Sequence, residues 1–589
     1  MHIGTRWICL LSILFTGLIG AGEDASEPLG EPVEEIPTIH CLGVRWKIKG
    51  DANANAEIAV QYRKVSEPEW RQGFPLFRSR PNPHAENTSK KHTVEGGWMF
   101  AGSVLGLEPA TEYEVKLNLK DPDGGAAEKV LKMTTWQEPV APADLTTVHV
   151  VPGTGGGTGT KEDPFKGLDA AVASAQPGTL FLLHAGTYVK EQCKGDTFVI
   201  PKSGAPGKPL VFRAAGDGEV ILDGGGDHKK GGRLISANAL KHIWLEGLTL
   251  RGREYGIVAH EGSHWVIRRC VFREVTKGFT AHNGDETKSQ RHFIADNDYL
   301  GPTTWPRTKG IESFCLTYMT GAGHVVCHNL IQNTGDAIHG CGHGGLSSTD
   351  FYHNDCNICT DDGIETDYAD FNVRVWGNRV RNVAHGFTAQ PIRGGPVYFF
   401  RNVVYNCTYS PFKLHNHTSG VVIFHNTSLR NGGGFNIVPA HETVTNLLLR
   451  NNLFLGTGGT GLNVGTPNMR YCDFDNDGYG GFQTFATWNA RKTYKTIEDA
   501  RAGGEIYKDK GAHSIDASTC FASGTKPPAD PKVEASPEAC DMRLAEKSGA
   551  IDKGVVLPNF NDGYKGAAPD LGAFEFGAEL PHYGPRTAK

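Results

Sequence analysis

At 589 residues with a formal charge of −6, the chain has room for several domains or for one long solenoid plus a smaller unit, and it offers no basic footprint for nucleic acid. Its 75 glycines suit tight turns between short strands and exclude a mainly helical protein. No stretch reaches the roughly 18 consecutive apolar residues of a membrane span.

In chain order, a basic start at Met1 to Arg6, a mostly apolar run from Trp7 to Ile19 and the small residues Gly20-Ala21-Gly22 have the pattern of a secretory signal peptide over 1–22. The expected location is therefore secreted or periplasmic. Removing Cys9 leaves 12 of the 13 cysteines, an even number in an oxidising compartment, so some disulfides are expected. Cys356-x-x-Cys359 has no second pair at metal spacing and is read as rung packing or a disulfide. Residues 23–36 are acidic, proline-bearing and aperiodic, which predicts a flexible leader.

Over 37–139, alternating segments such as Ile58-Ala59-Val60-Gln61-Tyr62-Arg63 and Tyr113-Glu114-Val115-Lys116-Leu117 predict a small antiparallel sandwich. The run from Leu105 to Tyr113 resembles the tyrosine-corner segment of fibronectin type III domains, with Trp46, Tyr62 and Trp70 placed like core residues of that family. The resemblance implies a spacer or attachment unit.

The remainder, 145–580, begins with Gly155-Gly156-Gly157, a turn and not a phosphate loop because no Gly-Lys-Ser/Thr follows. A short helix is expected at Leu168 to Val172. Strands closed by asparagine then recur: Asn354, Asn378, Asn402 and Asn426 stand 24 residues apart, Asn329 lies 25 before the first and Asn452 lies 26 after the last. A chain making one strand-rich rung per interval buries its apolar side chains only by stacking rungs, and asparagines at one rung position then bond to each other. Gly284 to Ser313 breaks the interval and predicts a protruding insertion; Tyr471 to Ser536 reads as loops around one helix at Lys495 to Ala502. The whole is similar to the secreted right-handed parallel β-helix proteins, an all-β, pectate-lyase-like solenoid. The helix at Leu168 resembles their N-terminal cap, and Ala567 to Glu575 resembles their closing motif.

A second family of strands places titratable residues in register. Aligning Gly256, Gly278, Ala337, Gly363, Gly386 and Pro411, each followed by an apolar residue, puts His339, Glu365, Thr388 and Lys413 in one outward column and His260, His282, Asp367, Gln390 and His415 in the next. Clustered titratable groups along one groove mark a candidate site. Glu365 and Asp367, with Asp362 and Asp336, offer hard oxygens that suit calcium. Asp361 is read as a turn residue before Gly363.

This sector resembles the chondroitinase B and alginate lyase family, whose acid-x-acid calcium motif is matched by Glu365 and Asp367 and whose arginine one rung later is matched by Arg393. Where that family has its lysine base, the chain has Tyr368-Ala369-Asp370, so the base is sought in Lys413, His339 or His415. The resemblance implies calcium-assisted β-elimination on a uronate-containing polysaccharide, with Arg393 on the substrate carboxylate and Gln390 and His282 as further substrate contacts. Two alternatives stand beside it. Asn333-Thr334-Gly335-Asp336, Gly342-His343-Gly344 and Asp361-Asp362 resemble polygalacturonase motifs and imply a glycoside hydrolase. Trp244, Trp265, Trp305, Trp376 and Tyr398 offer sugar-stacking surfaces for a binding protein without catalysis.

Overall fold

The computed structural model describes residues 24–587 except 83, 85–89, 191–194, 227, 230, 283–284, 307–312, 341–343, 438–441 and 507–510. The signal-peptide segment 1–22 lies outside the described residues. Among those described, no helix is long and apolar enough to cross a membrane.

The sandwich and the parallel β-helix expected from the sequence are both present. In the sandwich a 5-stranded antiparallel sheet faces a 4-stranded one around Trp46, Phe100, Tyr113 and Val115. The backbone N–H of Glu108 donates to the Tyr113 hydroxyl at 2.9 Å, which closes the corner expected there. The leader differs from expectation. Ser26–Pro28 and Val33–Glu34 pair with the strand Leu42–Gly50, so a segment too polar to fold alone is held by backbone bonds on a sheet edge.

The β-helix consists of a 15-stranded and a 21-stranded sheet, nearly all parallel, with a 3-stranded sheet at one corner. Alternate side chains of each strand point inward, and these build a continuous core from Val150 to Ala512. The helix Leu168–Ala173 covers its first rungs, and Ile497–Gly503 forms where a helix was expected. Two sectors read as irregular belong to the rod. Phe293–Ala295 and Asp298–Leu300 complete a rung inside the expected insertion, and Gly478–Gly480 and Thr484–Trp488 continue the stack beyond Tyr471. Glycine and loop insertions hide the interval there, while the inward residues persist. The C-terminal segment also departs from a closing role. It runs back along the rod, so that Ala535 bonds Asn382, Gly572 bonds Asn451 and Arg586 pairs with Asp296 at 2.8 Å and Glu138 at 2.9 Å.

The asparagine corner is a closed ladder. Each Nδ2 donates to the Oδ1 of the next rung at 2.9–3.0 Å from Asn297 through Asn329, Asn354, Asn378, Asn402 and Asn426 to Asn452, which bonds Asp477 at 2.8 Å. The same oxygens accept the backbone N–H of the preceding asparagine, so the turn's own donors are satisfied as well. The ten described cysteines are free thiols, nine of them buried, and Cys356 and Cys359 pack inside the rungs. The expected disulfides do not form among the described residues, because stacked apolar rungs already supply the core that small secreted domains lack.

Candidate active site

The registers expected for the wall are observed. Thr317 aligns with His339, Ile338 with Ile364, Glu365 with Thr388, and Thr388 with Lys413, while Ile338, Ile364, Phe387 and Phe412 point into the core. In the neighbouring column the N–H of His282 donates to His260 Nδ1 at 3.0 Å, and the N–H of Gln390 donates to Asp367 Oδ1 at 3.0 Å.

A bulge brings the carboxylates together. On the strand Asp355–Glu365, the step from Cys359 to Asp362 lies opposite the shorter step from Val383 to His385. The extra residue re-aims the chain so that both Asp361 and Asp362 reach the wall. Asp361 is therefore a strand residue and not the turn residue expected. The same strand takes its bend at Ile358 with φ 58°, a conformation that Asn333, Asn382 and Asn406 adopt on neighbouring rungs and that is strained for a β-branched side chain.

At the centre, His339 Nδ1 lies 3.0 Å from Asp336 Oδ2 and 2.8 Å from Glu365 Oε2. One ring nitrogen carries one proton, so a carboxyl oxygen is left without a donor; Glu365 Oε2 is that atom, and Asp362 Oδ1 is a second. Lys413 Nζ reaches back over the short Thr388 to Asp362 Oδ2 at 2.9 Å and lies 3.8 Å from Asp361. Burial raises Asp336, and burial with the neighbouring Asp367 charge holds Glu365 well above the carboxylate range. Asp367 is raised by burial and by the neighbouring Asp362 charge. Asp362 is held low against its burial, chiefly by Lys413. His339, despite burial, is pushed up to about 11 by the carboxyls of Asp336 and Glu365 that flank it.

Candidate ligand atoms of Asp336, His339 and Glu365 lie within 4.8 Å of one another, as do those of Asp361, Asp362 and His385. Asp336, Asp361, Asp362 and Glu365 present the hard carboxylate oxygens that a calcium ion takes up, and Asp362 Oδ1 and Glu365 Oε2 among them accept no hydrogen bond, so the set fits that ion. Asp367, expected as a ligand, falls outside both groups, and its Oδ1 accepts the Gln390 backbone N–H. His415 stands beside the column and faces Glu442 at 3.9 Å. Arg393 corrects the expectation most clearly. Its guanidinium is 5% exposed and pairs with Asp370, which His92 and Lys91 of the sandwich also contact, so it helps to seat the sandwich and lies off the wall.

Three side chains at the site were not singled out from the sequence. His385 stacks on Tyr409 at 5.4 Å, and Tyr318 sits edge-on to His339 at 5.1 Å. Tyr409 and Tyr318 are 68% and 44% exposed, which leaves ring faces free on either side of the carboxylates. The register that aligns Asp362, His385 and Ser410 would have flagged His385; the tyrosines had no such signal.

No protein-family model matches the chain. Among curated proteins it is similar to pectate lyase L of Dickeya dadantii, 22% identical over 423 residues covering 69% of this chain and 85% of that one. Pectate lyase L of Dickeya chrysanthemi is 23% identical over 421 residues, covering 69% and 84%. Among solved structures, pectate lyase Pel9A aligns over 74% of this chain and 98% of its own, with a TM-score of 0.42 and 19% identity.

Proposed function

We propose that the protein is a secreted polysaccharide lyase that cleaves a pectate-like uronate polymer by β-elimination. The observation that carries this reading is the convergence of Asp336, Asp362 and Glu365, two of them with unpartnered oxygens, beside the Lys413 amine on an open wall. The similarity to two proteins named pectate lyase supports the polymer class. A bound calcium ion would neutralise the uronate carboxylate and so acidify the adjacent C–H. Asp336, Asp361, Asp362 and Glu365 would hold that ion. The ion pair with Asp362 holds Lys413 protonated. With Asp362 engaged by calcium that pair would loosen, and Lys413, having given its proton to solvent, is then the base. It takes the proton α to the uronate carboxylate while the glycosidic C–O bond at the β carbon breaks, the departing oxygen taking a proton from water and a double bond staying on the other fragment. Tyr318 and Tyr409 flank the wall and stack on sugar rings, with His282, Gln390 and His415 as polar contacts. The signal peptide over 1–22 exports the chain, and the sandwich, with its tyrosine corner, is a fibronectin type III-like unit.

A glycoside hydrolase is the second reading, favoured by neighbouring carboxyls pushed in opposite directions, Glu365 up and Asp362 down. Incubation with polygalacturonate, with and without chelator, separates the two. Chelator-sensitive ultraviolet absorbance of an unsaturated product, lost in Lys413→Ala, is expected. Reducing ends without that absorbance would assign hydrolysis, and retention without cleavage would leave a binding protein.

A further inference from the structure

We propose a second saccharide site, for one uronate residue of the polymer, on the outer face of the 15-stranded sheet beneath the segment that joins the two domains. The inference rests on the uronate-polymer reading above. A cavity of about 330 Å³ lies there between Trp136 of the connecting segment and Trp244 of the rod, within the roughly 300–1,000 Å³ of small-molecule pockets. His242 and His264 line it as a tilted ring pair 4.6 Å apart. Burial holds His264 down to about 4, so at neutral pH the pair is uncharged. Arg291 lies at the same cavity with its guanidinium carbon 5.9 Å from the Trp136 ring. Among the described residues no carboxylate pairs with it, and burial alone accounts for its lowered pKa. The acidic residue on the rim, Glu138, is engaged by Arg586 at 2.9 and 3.1 Å. Flat apolar rings beside an unpaired fork of N–H donors match a uronate, which has a C–H face for the rings and a carboxylate for the guanidinium. A neutral sugar would leave the half-buried cation uncompensated.

The test uses the full chain. Affinity electrophoresis through gels holding polygalacturonate or a neutral glucan is run in a Glu365→Gln background, and cleavage of a galacturonate trimer is measured in the otherwise native chain. Arg291→Gln is expected to weaken retention by polygalacturonate about tenfold, the worth of one charge-assisted contact. Trimer cleavage stays unchanged, Arg291→Lys restores part of the retention, and the glucan retains no form. If Arg291→Gln does not fold, Lys241→Glu, which reverses a charge near His242 and His264, is expected to weaken retention in the same way. Retention unchanged by these substitutions, with trimer cleavage intact, overturns the second site. So does a parallel loss of trimer cleavage, which would mark a structural effect. A parent that neither cleaves the trimer nor is retained overturns the lyase reading itself.

Discussion

Two stacks of buried polar side chains climb the same rungs, the asparagine corner and the acidic wall, and they differ in whether their hydrogen bonds close. At the corner each amide meets an oxygen of the next rung and a backbone carbonyl, so every added rung strengthens the stack. On the wall Asp336, Asp362 and Glu365 crowd together, His339 cannot serve two carboxyls with one proton, and two oxygens remain unpartnered. A closed stack is architecture. An open one stores electrostatic repulsion that a cationic ligand relieves.

The sharpest way to break this contrast is to swap the two outcomes by mutation. Glu365→Gln is expected to lower the rate of uronate-polymer cleavage by about 10²–10⁴-fold, because it removes a carboxylate ligand for the cation, while leaving the melting temperature near that of the parent, because the amide replaces a carboxyl that burial already holds well above its ordinary range. Asn378→Ala should do the reverse. It orphans the Asn354 N–H and interrupts the ladder, at a cost of about 3 kcal/mol in a urea titration, with cleavage retained where the protein stays folded. Equal losses of activity in both variants would erase the distinction between the stacks. Calcium should act on the wall alone. At about 100 times its dissociation constant it stabilises by about 2.7 kcal/mol, read as a melting shift that Asp362→Asn and Glu365→Gln abolish and Asn378→Ala keeps.

The smallest effect sharpens the contrast at the ladder's own end. Asp477 terminates the stack fully buried, with Oδ2 unpartnered and its carboxyl raised to about 7 by burial. A carboxyl raised in the folded state costs nothing below its ordinary value near 3.8, and stability falls as pH rises toward 7. Asp477→Asn should therefore gain on the order of 1 kcal/mol over the parent at pH 8 and nothing at pH 4. A pH-independent difference would remove the carboxyl as its cause.

The repeat of asparagines, the apolar inward positions and the register of the wall were legible because a period near 24 is a local property of the chain, and stacking converts it directly into columns. The period and the alternation together place His339, Glu365 and Lys413 along one column. Other features have no such imprint. The bulge that turns both Asp361 and Asp362 outward depends on pairing with Val383 and His385, which lie on another strand. Whether Arg393 meets substrate or Asp370 depends on the sandwich that brings His92 and Lys91 against the rod. The leader and the C-terminal segment are ordered by edges and grooves that exist only once the rod is built.

The sequence by itself determined the solenoid and the order of residues along its wall, since both follow from periodicity and side-chain alternation. Only the tertiary structure decided which carboxyl oxygens go unpaired, which arginine is buried in an ion pair and where Lys413 reaches. Those outcomes turn on distances of a few ångströms between segments far apart in the chain, which no spacing along it encodes.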